Sequence, residues 1–583
     1  MTPTSVRFLK ALCVGMASFL TLAACGTSTG GGGGLASNQT LKFPIIGDFG
    51  TLDVGMIDAE TDAEIAQNLY DGLLRFDNNL NIIPDIASEV PTPSTDGLTY
   101  TFKLRNDVTF SNGDKLTAKD VLYSWNRGAA LQGGYAYLMG PIAGYDVVSK
   151  NKKSGAALES LLEANDPSVT MSGLTAPDGP GGYTVQVKLT APAGYFLSEV
   201  ALGAVCFWIV DVNAVKQSPD NWWSSPSTLV GTGPFKMTAY TPKQSVEFSA
   251  VPNWWGTPKP TLTKVHLDIL QDAHSAITAY EQGSYDLYGF GGYSNAPIAD
   301  ILRIQSSGTE KSQLLLHPKV RTTWVSFNMV QDSSRPAKGP FLLSGGQSAH
   351  DLRMAFALSI DKTQLASVVC HNIVCEPATG GLITKSLAGY LGDDQDPLAK
   401  FDAGQAKTLL KGADPDGSKT KGLTYTYDPN NPLNKDVAVF LQDQWQTNLG
   451  VHVDLAAVDH SAFIKARLKG SYVLARDGWQ ADFNHPQDWF DSLWGTAVGC
   501  PDANCTSGYT TPAYDAAVKK ADQEPIEQAI PDYQAVSRML IQDVAYIPLY
   551  YSVGAFLIKG YVKGAGTNAF FDYYWNQYQI QNH

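Results

Sequence analysis

Apolar and polar positions alternate along this chain with two different periods. Thr40–Ile46 (TLKFPII) reads as an opening strand. Residues 98–104 (LTYTFKL) and 183–189 (YTVQVKL) alternate with period two, the pattern of half-exposed strands. Asp96-Gly97 and Asn112-Gly113 on either side of the first of these are hairpin signals. Thr117 followed by Asp120 predicts an N-cap with a short capping box, opening a helix through VLYSWNRGA. Residues 349–369 carry helical spacing broken near Ile360. Residues 401–410 and 436–448 predict helices, the second followed by Gly450 and the strand VHVDLAAV, and residues 525–544 are largely helical. Residues 545–558 (AYIPLYYSVGAFLI) carry no charge, but they are too few to span a bilayer and contain Pro548. Their aromatic and β-branched content predicts a buried strand. The alternation of types predicts an α/β chain with mixed sheets rather than one parallel sheet.

The first forty residues change the picture. Arg7 and Lys10 precede an uncharged, mostly apolar run over residues 11–24, which ends in Leu22-Ala23-Ala24-Cys25 and a Gly/Ser/Thr stretch. A charged start, a short apolar core and a small-residue site read as an export signal over residues 1–24. A Cys directly after the small residues resembles a bacterial lipobox, which implies that Cys25 becomes a lipidated N-terminus. A plain cleaved signal or a short buried helix are the alternatives. Residues 25–40 then form a tether; with 17 Gly-rich, polar residues flexible as far as about Lys42, the end-to-end distance is roughly 23 Å.

Composition narrows the class. The chain has 583 residues, enough for two or three lobes, and 44% hydrophobic residues supply a core. A formal net charge of −14 argues against nucleic acid and against a polybasic membrane surface. Aromatic residues make up 11%, enough to line a pocket as well as a core. Of seven cysteines, Cys13 lies in the signal and Cys206 in an apolar run, where a buried free thiol is expected. Cys370, Cys375, Cys500 and Cys505 allow three connectivities. Outside the cytoplasm two short-loop disulfides are expected; a four-thiolate metal site is the alternative. There is no G-x-x-x-x-G-K-[ST] and no H-E-x-x-H, and the nine His residues have no metal-ligand spacing. One G-x-S-x-G, Gly26 to Gly30, lies in the tether without the strand–helix setting of a nucleophile elbow. No cofactor and no catalysis are expected.

Several blocks occur in a telling order: NLYDGLLRFDNNLNIIPDIAS from Asn68, DGLTYTFKLRNDVTFSNGDKLTAKDVLYSWNR from Asp96 and VGTGPFKM from Val230. They continue with PNWWG from Pro252, AITAYEQGSYDL from Ala276, DLRMAFALSIDKTQL from Asp351 and VAYIPLYY from Val544. Together they resemble the family 5 extracellular solute-binding proteins, the peptide- and nickel-binding group of ABC importers. One departure is visible: the usual Leu-Asp-Pro reads Leu52-Asp53-Val54 here, which leaves the shape of that loop open. The resemblance implies an α/β, two-lobed periplasmic-binding-protein-like fold with a hinge. Residues 41–317, joined by 545–583, would form lobe I and residues 318–544 lobe II, with ligand trapped between them. It implies a monomer at the outer face of the cell membrane, working with a permease and separate ATPase subunits.

The sharpest local block is ARDGWQADFNHPQDWFDSLW, from Ala475. It resembles the segment of oligopeptide-binding members in which an Asp meets the peptide α-ammonium and an Arg six residues earlier meets a carboxylate. That implies ligand roles for Asp482 and Arg476, with Trp479, Phe483 and Asn484 beside them. The chemistry is sound, because a peptide ammonium with pKa near 8 is mostly charged at neutral pH. A loop Asp satisfying backbone N–H groups, an internal pair of Arg476 with Asp477 or Asp482, and a core role for Trp479 are the competing readings. The same fold could hold an oligosaccharide, nickel chelate, haem or opine. An extracytoplasmic chaperone is the reading outside that class.

Overall fold

In the computed structural model, residues 34–202, 206–289, 297–308, 310–330, 335, 338–496, 499–500, 505–566, 568, 570 and 574–583 are described. Cys25, the export signal and most of the tether lie outside them. The chain buries two large hydrophobic cores. The first gathers residues from Leu41 to Ile269 and takes in Phe556, Trp575 and Tyr578 from the C-terminal segment. The second gathers Ala276 to Leu557 and includes most of the middle of the chain.

Each core has its own sheet. In the first, Thr40–Ile46 pairs in parallel with Lys264–Leu270, which continues antiparallel to Ser245–Ala250 and Phe235–Thr241. Thr99–Lys103 pairs antiparallel with Thr184–Lys188, far along the chain. Its Asp96-Gly97 signal is therefore a local turn and not a strand-to-strand hairpin, whereas Asn112-Gly113 closes a small loop bridged by Thr109 and Lys115. In the second core a seven-stranded mixed sheet centres on Leu314–Phe327, flanked by Tyr546–Ile558 and Leu474–Gln480. Leu423–Tyr427 and Val453–Ala457 extend it in parallel. The apolar run that was too short for a membrane is thus an internal strand. Among the described residues no helix is long and apolar enough to cross a membrane.

Local signals translate directly. Thr117 N–H and Oγ1 both donate to Asp120, opening the helix Ala118–Leu131. The helical stretch broken near Ile360 is two helices, Gly346–Leu358 and Lys362–Val368; the Asp361 carboxylate accepts from Gln364 N–H at 2.9 Å and starts the second. Asp53, where the expected proline follows as valine, is held by a two-pronged bond from Arg127 at 2.6 and 2.7 Å and by Trp222 Nε1 at 3.2 Å. Gly231 packs against backbone so closely that a Cβ there would lie 1.9 Å from the Leu69 carbonyl oxygen. The cysteines form two local disulfides, Cys370–Cys375 and Cys500–Cys505, and Cys206 is a buried free thiol. The stretch read as flexible to Lys42 is fastened from Leu35 onward. Leu35 bridges Gln581, Ala36 N–H donates to Ile580 O at 2.9 Å, and Gln39 Nε2 donates to the same carbonyl at 2.7 Å.

Two long strands join the cores. Leu314–Phe327 and Tyr546–Ile558 run antiparallel, with a register break between Pro318 and Thr322. Toward one end Leu315 and Phe556 pack on the first core; toward the other Trp324, Val325 and Ile547 belong to the second.

Candidate functional site

The strand Leu474–Gln480 carries the candidate residues because its alternation sends them to opposite faces. Asp477 faces one way, where Ser326 Oγ donates to it at 2.7 Å and Arg467 Nε lies at 3.1 Å. Arg476, Gly478 and Gln480 face the other, opposite Val325, Thr323 and Arg321 of the neighbouring strand. Among the described residues, no carboxylate pairs with Arg476 or Arg321. The competing pairing of Arg476 with Asp477 or Asp482 is therefore not made. Burial first, and then the like charge of Arg321, lower the pKa of Arg476. Arg476 Nε, Gln480 Oε1 and the hydroxyl of nearby Tyr425 are all buried without a hydrogen-bond partner. Buried polar groups are almost always satisfied in native proteins, so these three atoms are available to a bound partner.

At the end of this strand the chain turns and presents Asp482. Its carboxylate Oδ2 accepts a hydrogen bond from Tyr137 Oη at 2.9 Å, across the boundary between the two cores. Tyr135 bonds the same carboxyl. Both tyrosines follow Gly133-Gly134, where the chain crosses residues 55–58; a Cβ on Gly133 would stand 2.2 Å from the Gly55 carbonyl oxygen, so only glycine fits. Burial raises the Asp482 carboxyl to about 6, and the two tyrosine hydroxyls oppose the shift. Behind it, Asp488 accepts from Asp482 N–H at 2.8 Å and from Trp479 Nε1 at 3.3 Å. Asp488 is fully buried beside another carboxyl, and both effects push its pKa well up. In this pair Asp482 is the member that ionises.

The other named residues frame the turn. Trp479 packs its ring on the second core and braces the loop through Asp488. Phe483 is buried in the first core, while Leu80 from the opposite side is buried in the second. Asn484 Nδ2 donates to Leu80 O at 3.3 Å, and its Oδ1 accepts from Ala388 N–H at 2.9 Å. The two cores thus interlock at the segment that carries Asp482. Tyr135, Tyr137, Arg321 and Asp488 escaped the sequence reading. The double glycine before Tyr135 was the one available signal; Arg321 joins the site through strand register, which a sequence does not display. Among the described residues no group of three His, Cys, Asp or Glu could hold a metal ion.

The chain is 24% identical over 538 residues to the periplasmic oligopeptide-binding protein OppA of Salmonella typhimurium, covering 91% of this chain and 90% of that one. It is 26% identical to a probable deoxycholate-binding periplasmic protein of Escherichia coli, covering 91% of each. Among solved structures it superposes on the unliganded open form of the murein tripeptide-binding protein MppA with a TM-score of 0.75 at 22% identity, covering 95% of this chain and 99% of that one. The fold is therefore the two-lobed binding-protein fold with mixed sheets, and its family consists of binding components of transporters rather than enzymes. Residues 81–499 match the family model of the bacterial extracellular solute-binding proteins, family 5. This chain belongs to that family.

Proposed function

We propose that the protein captures short peptides between its lobes and hands them to a membrane permease whose ATPase subunits are separate chains. What supports this reading is the row of partnerless polar groups on one strand face, Arg476 Nε and Gln480 Oε1 with Arg321 alongside, ending in the Asp482 carboxylate. One end suits a carboxylate and the other an ammonium. Arg476 and Asp482 are six residues apart, at most about 20 Å along a strand, the span of an extended peptide of about six residues or fewer. Trp479, Phe483 and Asn484 shape the turn that holds Asp482.

In this reading residues 41–317 with 545–583 form lobe I and residues 318–544 form lobe II, with Ala276, Tyr288, Tyr546 and Tyr550 of the connecting region packed into the second core. The register break at Pro318 is the flexing point of the connecting strands. The protein works as a monomer on the outer face of the cell membrane, with Cys25 lipidated after removal of residues 1–24. If Cys25→Ser leaves the protein membrane-bound, the anchor is elsewhere. The binding reading is tested by isothermal titration with di- to pentapeptide pools. Saturable heat that N-acetylation of the peptides abolishes is expected; no heat with any pool refutes it.

A further inference from the structure

Behind Asp482 lies a second group of carboxyls, of which the ammonium site uses only Asp488, as a brace. Asp488 and Asp491 stand one turn apart on the helix Gln487–Leu493, and Asp522 ends the helix Pro512–Asp522. Glu199 reaches them from the other lobe, on the helix Phe196–Val200. Glu199 is 3% exposed and Asp488 is fully buried. Burial, and then Asp488, Asp491 and Asp522 in turn, push the Glu199 carboxyl well up, so all three aspartates are its electrostatic neighbours.

The group is satisfied from within only in part. Asp491 and Asp522 hydrogen-bond each other, Asp491 also accepts from Gln487 Nε2 at 3.3 Å, and Asp522 accepts from Tyr533 Oη at 2.5 Å. Glu199 Oε2 and Asp488 Oδ1 are buried and accept nothing. The neighbouring base is no counter-ion. His485 packs edge-on against Tyr195 and Tyr533, and burial lowers its pKa to about 3, so it is neutral. Among the described residues no Lys or Arg forms an ion pair with any of the four carboxyls. Lys519 lines the same open cavity of about 350 Å³ as Asp491, Asp515 and Asp522 without pairing to them. Asp515 is engaged by Thr496 N–H and Thr510 Oγ1, each at 3.0 Å. The cluster therefore offers two buried acceptor oxygens, one from each lobe, to a donor that neither lobe supplies.

A metal ion is a poor fit, because no three of these groups are arranged to ligate one. An organic cation fits better, since ammonium and guanidinium groups bring several donors to dispersed acceptors. The position names its source. Asp488 bonds the backbone N–H of Asp482, so the cluster begins directly behind the carboxylate proposed to meet a peptide N-terminus. We propose that Glu199, Asp488, Asp491 and Asp522 form a subsite for a cationic side chain near the N-terminus of the bound peptide, so that the protein selects peptides with lysine, arginine or ornithine at the first or second position. This rests on the peptide-binding reading above. Because Glu199 comes from lobe I and the aspartates from lobe II, such a side chain also draws the lobes together.

Titration of the full-length protein with Lys-Ala-Ala, norleucine-Ala-Ala and their Ala-X-Ala counterparts tests this at pH 7.5. Lysine is expected to bind roughly tenfold or more tightly than norleucine at one of the two positions. Glu199→Gln is expected to bring that ratio to within about twofold of one. If Glu199→Gln does not fold, judged by its melting transition, Asp491→Asn takes its place. Equal affinity for lysine and norleucine at both positions overturns the subsite alone. So does a ratio that the substitution leaves intact. Failure of all four peptides to bind overturns the peptide reading and the subsite with it.

Discussion

The Asp482 carboxyl titrates inside the range where affinity can be measured, and this makes the ammonium site testable by pH. Burial raises it to about 6. An ammonium is held by the ionised form, through a charge-assisted hydrogen bond of about 1.5–3 kcal/mol. The ionised fraction falls from about 0.9 at pH 7 to about 0.1 at pH 5, while a peptide amino group with pKa near 8 stays charged. Affinity for Ala-Ala-Ala should therefore drop about tenfold between those pH values. The sign follows from linkage: a free protein whose lobes bury Asp482 as they do here binds a proton there that the complex releases, so acid opposes binding. Peptides with neutral side chains isolate this effect from Glu199, Asp488, Asp491 and Asp522. Asp482→Asn should weaken Ala-Ala-Ala by roughly 10- to 150-fold at pH 7 and remove the slope. The assay is calorimetry at pH 5, 6 and 7 in two buffers of different ionisation heat, which counts the released proton. An affinity that rises on acidification refutes the assignment. An identical slope for N-acetyl-Ala-Ala-Ala refutes it as well.

Two further predictions concern the frame around the site. A Cβ on Gly194 of lobe I would stand 1.8 Å from the Glu524 carbonyl oxygen of lobe II, and Gly194 N–H donates to Asp522 O at 2.7 Å. Gly194→Ala should thus hinder closure while leaving both cores alone, weakening peptide binding about tenfold with the melting temperature nearly unchanged; a large fall in melting temperature would show that the contact serves folding instead. Arg127 and Asp53 are paired within the first core, with side chains 3% and 6% exposed. Arg127→Met leaves Asp53 buried and uncompensated and should cost about 3–5 kcal/mol in denaturant unfolding. A loss below about 1 kcal/mol would mean that Asp53 finds other compensation.

The elements were legible because their signals are local. The strand Thr40–Ile46, the Thr117/Asp120 cap and the pair of helices meeting at Asp361 all follow from residues within a turn of one another. The two local disulfides are the short-loop pairing expected outside the cytoplasm, one of three connectivities that the sequence left open. The segment around Asp482 was visible as a block. What it touches was not, because Tyr137 lies 345 positions away and Arg321 joins Arg476 through register alone. Phe483 illustrates the limit: its neighbours in sequence mark it as a site residue, yet its ring is buried in the opposite core. The same distance hides Glu199, which sequence alone shows as one acid on a short helix.

In the proposed reading, charge at the seam also gives closure a reason to await a ligand. Bringing the lobes together buries Glu199 against three aspartates and holds Asp482 beneath two tyrosine hydroxyls. Closing empty therefore confines like charges in a poorly solvated space, and protons must neutralise what no cation does. A guest carrying an ammonium, and more so one carrying a cationic side chain, reverses that cost only in the closed form. A ligand shifts a conformational equilibrium by the difference in its affinity for the two states and by nothing else. Here that difference is electrostatic and shared between residues of both lobes. Interlocking contacts such as Phe483 and Leu80 supply packing that is indifferent to the guest. On the proposed reading the carboxyls supply the part that depends on it, and so would couple loading to the shape a permease recognises.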